Sequence, residues 1–365
     1  MDLVLPIINN MKKFGVQSIG LVAPIVREGD DIAQITINTV LNSGIEIEDG
    51  DIIGITESVV ARSQGNYVTI DEVAEDIKKV MGNPDEVILY NPIYSRNRFA
   101  MILKAFARAV KKRVILWVKD KDEVGNVLRN HPFTGLNYDE YYKSIIADEG
   151  KDYLVIYNDD NPDDSGVNRF PNDYTVDCQV HPLNNEWCKY TLMSFCKNKC
   201  EWGLLGSNKA SEEKLKLFPS KKYCELAIGI IQQHIRLKTG KNVEVMIYGD
   251  GCFKDPIGGI WEFADPVVSP AYSKGLEGTP NELKLKNLAD EQFANLNGKE
   301  LNEAIKSKIY AKDNYLKVKM ESQGTTPRIY TDLLGSLMDL TSGSGDKGTP
   351  IVYVKGYFNN YASEK

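Results

Sequence analysis

A glycine-rich segment late in the sequence has the residue types that bind phosphate. The segment TSGSGDKG, residues Thr341–Gly348, separates a helical pattern from a strand pattern. Glycines there let successive backbone N–H groups turn toward an anion, and Lys347 adds a positive charge. The segment therefore predicts a phosphate cradle. It lacks the GxxxxGK[ST] spacing of a Walker A motif, so a Gly/Ser linker without a ligand is the alternative interpretation.

Two acidic turns have the residue types that bind a hard cation. Asp250 follows the apolar stretch NVEVMIYG, where one carboxylate and the oxygens of a phosphate would together coordinate magnesium. The segment NDDNPDDSGVN, residues 158–168, is rich in carboxylate and amide oxygens but lacks the spacing and the closing glutamate of an EF-hand. An ordinary turn aspartate and a solvated loop are the respective alternatives.

A third polar turn follows the apolar stretch DIIGI. The hydroxyls of Thr56 and Ser58 and the guanidinium of Arg62 come directly after it. The exits of buried strands are common positions for ligand-binding groups in α/β proteins. The glycine-rich segment and the two acidic turns, at three separated strand exits, together favour phosphate chemistry.

The cysteines give a weaker pattern. Cys188, Cys196 and Cys200 lie close in sequence, but their intervals do not form the CxxC pair of a tetrahedral zinc site. A zinc-stabilised interaction module over residues 173–224 is therefore the hypothesis that we rank lowest.

Regular elements on either side must position these turns. The first third of the sequence alternates strand patterns with helix patterns. The strand patterns are DIIGITESVV, EVILYNPIY and RVILWVK, and the helix patterns are TIDEVAEDIKKVMG and NRFAMILKAFARAVKK. This alternation predicts an α/β fold. The helix at Thr69 is the best defined, because Thr69 and Glu72 have capping-box spacing and Gly82 is a stop signal.

Later segments add further elements of both kinds. Helical patterns occur in SKKYCELAIGIIQQHIRLKTG, NGKELNEAIKSKIYAK and PRIYTDLLGSLMDL, and strand patterns in NVEVMIYGDG and IVYVKGY. From about Asp159 to Asp177 the sequence is polar and contains prolines, which predicts a loop.

Composition narrows the class of protein. The 365 residues include 44 basic and 51 acidic side chains, a net charge of −7, without a dense Lys/Arg tract, so we expect no nucleic-acid partner. The sequence has no basic and apolar leader and no apolar run of about 18 residues, so we expect a cytoplasmic protein without a membrane partner. Its six cysteines fit reduced thiols rather than a disulfide framework.

Four segments, taken in order, resemble one known family. They are APIVREGDD, EDGDIIGITESVVARSQG, TGKNVEVMIYGDG and TDLLGSLMDLTSGSGDKGTPIVYVKG. They resemble the coenzyme F(420)-0:L-glutamate ligases, which are gamma-glutamyl ligases. The resemblance implies an α/β fold of mixed sheets with packed helices, one gamma-glutamyl ligase-like unit over residues 1–365, and an intertwined homodimer. Residues 173–224, with the cysteine stretch, are interpreted as a family-divergent insert.

The same resemblance implies an activity. Members of this family use GTP and a divalent cation, Mg²⁺ or Mn²⁺, to activate a carboxylate as an acyl phosphate, which the amine of L-glutamate then attacks. The acceptor carboxylate would belong to the deazaflavin coenzyme precursor or, alternatively, to a folate or another pterin. A nucleotide-binding homologue that has lost catalysis is a further alternative.

The resemblance also assigns site residues, although it identifies no catalytic side chain. The nucleotide would be bound by Ala23, Pro24, Ile25, Val26, Glu57, Ser58, Arg62, Asn172, Thr341, Ser342, Gly343, Ser344, Gly345, Asp346, Lys347 and Gly348. The metal would be bound by Asp164, Asn168 and Asp250.

Three departures from the family pattern qualify this assignment. Arg62 stands where the family has lysine, and an arginine binds phosphate in a bidentate manner that lysine does not. The segment DSGVNRFPN, residues 164–172, resembles the motif asparagine-alanine-glycine-valine-aspartate-arginine-serine-asparagine. In it Asn168 replaces the metal-binding aspartate, so either Asp164 takes over as ligand or the site is weakened. Serine or glycine replaces the acid that binds a second metal.

Overall fold

The structure is a computed structural model that describes most of the chain. It describes residues 14–90, 94–118, 129–131, 134–157, 175–177, 189–249, 252–254, 261–263, 269–314, 316, 329–342 and 346–363. Within these residues, no helix combines the length and apolar character needed to cross a membrane. The elements form several sheets packed with helices, which confirms the predicted mixed α/β class.

A five-stranded sheet, called here the central sheet, has the order β1-β15-β2-β11-β14. Strands β2 and β11 run parallel, and the other neighbouring pairs run antiparallel. The strands span Gln17–Leu21 (β1), Ile52–Thr56 (β2), Glu244–Tyr248 (β11), Ala271–Tyr272 (β14) and Ile351–Lys355 (β15).

Helices cover both faces of the central sheet. On one face, Ile53 and Ile55 of β2 pack in a core with helices α1 (Ile32–Leu41) and α6 (Lys221–Thr239). On the other face, Ile52 packs in a core with helix α9 (Tyr330–Ser342). Because successive strand residues point to opposite faces, a strand buried on both sides must be apolar throughout.

A second five-stranded sheet has the order β6-β5-β4-β7-β8 and is parallel throughout. Its strands span Glu86–Tyr90 (β4), Arg113–Val118 (β5), Asp152–Tyr157 (β6), Thr175–Asp177 (β7) and Tyr190–Thr191 (β8). Three helices contribute to its main core: Ile70–Met81 (α3), Arg98–Ala109 (α4) and Tyr138–Asp148 (α5).

A small three-stranded antiparallel sheet has the order β3-β10-β9. Its strands span Tyr67–Thr69 (β3), Asn208–Ser211 (β9) and Lys214–Lys216 (β10). The remaining described α-helices are α2 (Glu57–Ser63), α7 (Leu285–Asn287) and α8 (Gly298–Tyr310), and β12 (Cys252–Lys254) pairs antiparallel with β13 (Trp261–Phe263).

An ionic network attaches the turn between β9 and β10 to the helices of the second sheet. Arg108 of α4 donates to Glu149 beyond the end of α5 at 2.7 Å and to Asp71 of α3 at 2.8 Å. Its Nη1 atom also lies 3.1 Å from a carboxylate oxygen of Glu213, in that turn. Hydrogen bonds to these carboxylates, the one to Glu149 foremost, raise the pKa of Arg108. The short hairpin of β9 and β10 is therefore fixed at its tip.

The best-defined predicted helix is confirmed. Helix α3 has the expected capping box, in which the Glu72 backbone donates to the Thr69 hydroxyl and the Thr69 backbone donates to Glu72. Gly82 follows the helix in the left-handed conformation, with a φ of 75°, which glycine adopts without the steric cost of a Cβ atom.

Two predicted boundaries are wrong. The pattern DIIGITESVV was interpreted as one strand, but the strand ends at Thr56 and helix α2 begins at Glu57. Glu57, Val60 and Ala61 are buried, a spacing of three and four residues that belongs to a helix and not to a strand. The loop predicted to begin at Thr341 begins later, because Thr341 and Ser342 form the end of α9.

We predict opposite effects for two glycine substitutions. A Cβ atom on Gly54 of β2 would lie 2.0 Å from the sulfur of Met338 in α9, whereas one on Gly229 of α6 would meet no atom within 4 Å. Gly54→Ala should therefore destabilise the fold by about 1–3 kcal/mol through overpacking. Gly229→Ala should stabilise it by about 0.5–1 kcal/mol, because alanine has the higher helix propensity.

Urea unfolding of both variants measures these changes in the free energy of unfolding. Gly229→Ala is the matched control, because it adds the same methyl group. A Gly54→Ala variant as stable as the wild type would mean that α9 does not pack against β2 as described.

Candidate functional site

A pocket of about 430 Å³ lies at one edge of the central sheet. This volume falls within the range of small-molecule sites. It is lined by Ala23, Pro24, Ile25, Val26, Thr56, Glu57, Ser58, Val59, Arg62, Asn208, Asp339, Ser342, Gly348, Thr349 and Pro350. These residues come from five separate parts of the chain, so the pocket is a product of the tertiary fold.

Strand pairing brings the lining segments together. The end of β1 pairs with the start of β15, since Leu21 lies opposite Ile351. Past these strands, the backbone N–H of Ala23 donates to the carbonyl of Gly348 at 3.0 Å. The backbone N–H of Thr56, at the end of β2, donates to the Pro350 carbonyl at 3.0 Å. The segments 22–26 and 346–350 are therefore held side by side at the exit of β2.

Helix α2 places two polar side chains on one side of the pocket. Ser58 and Arg62 are four residues apart, so both lie on the same face of the helix. Arg62 is exposed, and Ser58 is partly buried. A hydroxyl and a guanidinium in this arrangement are suited to donate hydrogen bonds to one anionic ligand.

Glu57 is the first residue of α2 and is only 3% exposed. Its carboxylate oxygen Oε2 lies 3.7 Å from the ammonium group of Lys216 in β10. The same ammonium group donates to the Ser58 hydroxyl. A buried acid and base thus stand behind the wall formed by α2.

The end of α9 forms another side of the pocket. Asp339 and Ser342 line it, and the Ser342 hydroxyl donates to the Asp339 carbonyl at 3.0 Å. Thr341 instead contacts β1, with 2.7 Å between its hydroxyl oxygen and that of Ser18. Asp346 and Lys347 are exposed and do not line the pocket.

The structure thus brings together many of the nucleotide-site residues expected from the resemblance. Nine of them line this one pocket: Ala23, Pro24, Ile25, Val26, Glu57, Ser58, Arg62, Ser342 and Gly348. Their role in nucleotide binding stays a prediction. Asn172, Gly343, Ser344 and Gly345 lie outside the described residues.

The expected metal ligands Asp164, Asn168 and Asp250 also lie outside the described residues. Strand β11, which leads toward Asp250, ends at the pocket edge, since Tyr248 pairs with Thr56. Within the described ranges, no three His, Cys, Asp or Glu side chains are grouped as a metal site would require.

The described part of the pocket offers some of the donors that a hard cation prefers. Carboxylates of Glu57 and Asp339 both line it, and such oxygens suit Mg²⁺ or Mn²⁺. Glu57 lies 3.7 Å from the ammonium group of Lys216, and Asp339 lies at the end of α9 on another side of the pocket. These donors fit a divalent cation but do not complete a ligand set.

Two polar residues at this site were missed from the sequence. Asn208 lines the pocket, although the family motif ending in serine-asparagine was placed on residues 164–172. Ser207 and Asn208 also form a serine-asparagine pair, and this pair is the sequence signal that would have identified Asn208. Lys216 gave no such signal, because a lysine between two leucines resembles a solvent-facing strand residue.

Three cysteines are packed in the protein interior. Cys196, Cys200 and Cys224 are buried as free thiols. The sulfur of Cys200 donates to the carbonyl of Phe218 at 3.2 Å. Burial raises the pKa of Cys196 to about 12 and raises those of the other two thiols as well. These features are typical of structural cysteines, and Cys188 lies outside the described residues.

The fold and the pocket together define a class of protein. Mixed sheets whose strand ends converge on a polar pocket are typical of α/β proteins that bind a small ligand at a sheet edge. Residues 20–356 match the family described as F420-0:Gamma-glutamyl ligase, so the chain belongs to this family. The family expected from the four segments is therefore confirmed.

A curated relative gives a more limited comparison. The chain is 38% identical over 60 residues to the Coenzyme F420:L-glutamate ligase of Methanothermobacter thermautotrophicus strain Delta H. The aligned part is 16% of this chain and spans 24% of the length of that relative. Over this one short stretch, the chain is similar to a relative whose activity is named.

We predict that the buried thiols resist alkylation in the native protein. The thiolate is the reactive form, and burial both disfavours it and blocks access. At pH 8, Cys196 should react on the order of a thousandfold more slowly in the folded protein than in urea, and Cys224 should show similar protection.

Peptide mass spectrometry after iodoacetamide treatment measures this protection at each cysteine. The unfolded protein is the internal control for intrinsic reactivity. Equal labelling in both states would contradict the described burial. Metal analysis that finds one zinc ion per purified chain would support the zinc-module hypothesis instead.

Proposed function

We propose that this protein is a GTP-dependent ligase that uses Mg²⁺ or Mn²⁺ to join L-glutamate to a carboxylate acceptor through an amide bond. The observation that carries the proposal is the pocket itself. It gathers Ser58 and Arg62 with segments 23–26 and 348–350, in a chain that belongs to the gamma-glutamyl ligase family.

In the proposed reaction, a carboxylate oxygen of the acceptor attacks the terminal phosphorus of GTP, and GDP leaves. The amine of L-glutamate then attacks the carbonyl carbon of the acyl phosphate. The carbon–nitrogen bond forms, the carbon–oxygen bond to phosphate breaks, and inorganic phosphate leaves as the amine loses its proton. The protein's part in such chemistry is mainly positioning and stabilisation of charge.

The described residues have separate proposed roles in this reaction. Arg62 and Ser58 donate hydrogen bonds to phosphate oxygens, because both lie on the pocket face of α2. The amide of Asn208 supplies a donor and an acceptor for the rest of the nucleotide. Asp339 and Asp250 would hold the divalent cation, which would neutralise phosphate charge when bound.

The acceptor is proposed at the level of its chemistry. The curated relative is named for coenzyme F420 and L-glutamate, which supports a deazaflavin precursor as the first acceptor to test. A folate or another pterin is the alternative acceptor, and an intertwined cytoplasmic homodimer is the expected state of the protein.

A catalytically inactive nucleotide-binding protein is the second candidate function. Asn168 and the replacement of the second-metal acid by serine or glycine favour it, because a neutral amide binds a hard cation less strongly than a carboxylate. This candidate predicts GTP binding without turnover.

We predict that Arg62 contributes to the use of GTP. Arg62→Ala should lower kcat/KM for GTP by about 10- to 100-fold, since charge-assisted hydrogen bonds to phosphate are lost. Arg62→Lys should retain part of this activity, because it keeps the charge but loses the bidentate geometry. Arg236→Ala is the matched control, because Arg236 is exposed on α6 and does not line the pocket.

Phosphate release measures this effect in the presence of Mg²⁺, L-glutamate and acceptor. If Arg62→Ala and Arg236→Ala behave alike, the assignment of the phosphate site to α2 is wrong.

We also predict that turnover depends on all three substrates and on Asp250. Phosphate release from GTP should require L-glutamate and one member of a panel of deazaflavin and folate acceptors. Asp250→Ala should reduce it by at least about 100-fold if this carboxylate binds the cation. The amide product should appear by mass spectrometry as the acceptor plus one glutamyl residue.

The outcomes separate the candidate functions. GTP binding without turnover across the panel would favour the inactive homologue. Turnover with ATP but not GTP would keep a ligase and overturn the nucleotide preference.

A further inference from the structure

A buried lysine stands directly behind the pocket wall. Lys216 is the last residue of β10 and is 8% exposed. It does not line the pocket, but it contacts two residues that do, Glu57 and Ser58. The small sheet of β3, β10 and β9 thereby reaches the exit of β2.

The location of this charge calls for a physical reason. An ammonium group removed from water loses much hydration free energy, and a pair of apolar side chains usually holds two elements together at least as well. The Glu57 oxygen lies 3.7 Å from the ammonium nitrogen, which is longer than a normal hydrogen bond. The direct hydrogen-bond acceptor of Lys216 in this wall is the Ser58 hydroxyl.

This hydrogen bond fixes the direction in which Ser58 donates. An ammonium group has no lone pair, so Ser58 must act as the acceptor toward Lys216. The single hydroxyl proton of Ser58 is then left for another acceptor. Since Ser58 lines the pocket, an anionic oxygen there can accept it. The positive charge of Lys216 also strengthens that donation by polarising the hydroxyl.

Arg62 gives the same wall a second cationic group. It lies one helical turn beyond Ser58 and also lines the pocket. A ligand portion with several negative oxygens matches this wall, whereas a neutral base or ribose gains nothing from the charge of Lys216.

We propose that Lys216 is a positioning residue for the polyphosphate part of the ligand and acts through the Ser58 hydroxyl. This inference rests on the proposed nucleotide site and deepens it by assigning the polyphosphate to the α2 wall. Lys216 orients the Ser58 hydroxyl as a donor and polarises it.

The test compares binding of three probes, which are GTP, inorganic tripolyphosphate and guanosine, by isothermal titration calorimetry. Lys216→Met should weaken binding of GTP and tripolyphosphate by about tenfold or more, and should leave guanosine affinity within about twofold. Lys214→Met is the matched control, because Lys214 is exposed two residues earlier on β10. It should bind all three probes as the wild type does.

A double-mutant cycle tests whether the effect passes through Ser58. If it does, Ser58→Ala combined with Lys216→Met should weaken tripolyphosphate binding little more than the stronger single change. Fully additive losses would overturn the route through Ser58. An unchanged affinity in Lys216→Met, or an equal loss for guanosine, would overturn the inference as a whole.

Removing Lys216 leaves the buried Glu57 carboxylate without this cation, and the single variant can fail to fold for that reason. Glu57→Gln combined with Lys216→Met removes both charges and keeps similar shapes. In this double variant, a loss of tripolyphosphate affinity that exceeds the loss in Glu57→Gln alone supports the inference, and an equal loss overturns it.

The wild-type protein separates the inference from the proposed function. Binding of tripolyphosphate without binding of GTP would overturn the GTP-dependent function. The Lys216 variants would then still decide whether the inference holds. Binding of neither probe would overturn both. Binding of GTP with no effect in any Lys216 variant would overturn the inference alone.

Discussion

Burial of β2 on both faces is the constraint on which the rest of the structure depends. Ile53 and Ile55 face one helical layer, and Ile52 faces the other. Both helical layers must therefore be present, because the loss of either layer would expose an apolar face of β2 to water. The absence of a side chain at Gly54 lets Met338 approach the strand closely. That contact sets the distance between α9 and the sheet, and hence the position of the pocket residues at the end of α9.

The pocket forms where this buried strand stops. At Thr56 the chain turns directly into a helix, and the ends of β1 and β11 and the start of β15 lie at the same edge. Polar groups at the edge can therefore face a ligand, while the apolar strands below them hold the backbone in place. This division between a rigid apolar sheet and polar exits is suited to a site that works by positioning charge.

The small sheet of β3, β10 and β9 links this pocket to the second sheet. Arg108 fixes the tip of its hairpin through Glu149, Asp71 and Glu213. The other end of the hairpin carries Lys216 to the pocket wall. The helices of the second sheet thus support the position of the Lys216 charge next to the pocket, although no described strand of that sheet lines the pocket.

The sequence by itself determined the α/β class, the family, and the positions of five strands and of the five longest helices among the described residues. Hydrophobic periodicity and local signals such as the Thr69–Glu72 capping box depend on near neighbours in the chain, so they can be predicted without a fold. The boundary at Glu57 could not be, because apolar residues at short range satisfy a strand pattern and a helix pattern equally. Tertiary structure alone placed Lys216 behind the pocket wall. Its contact with Ser58 joins residues 158 positions apart along the chain, and only the packing of separate sheets brings such residues together.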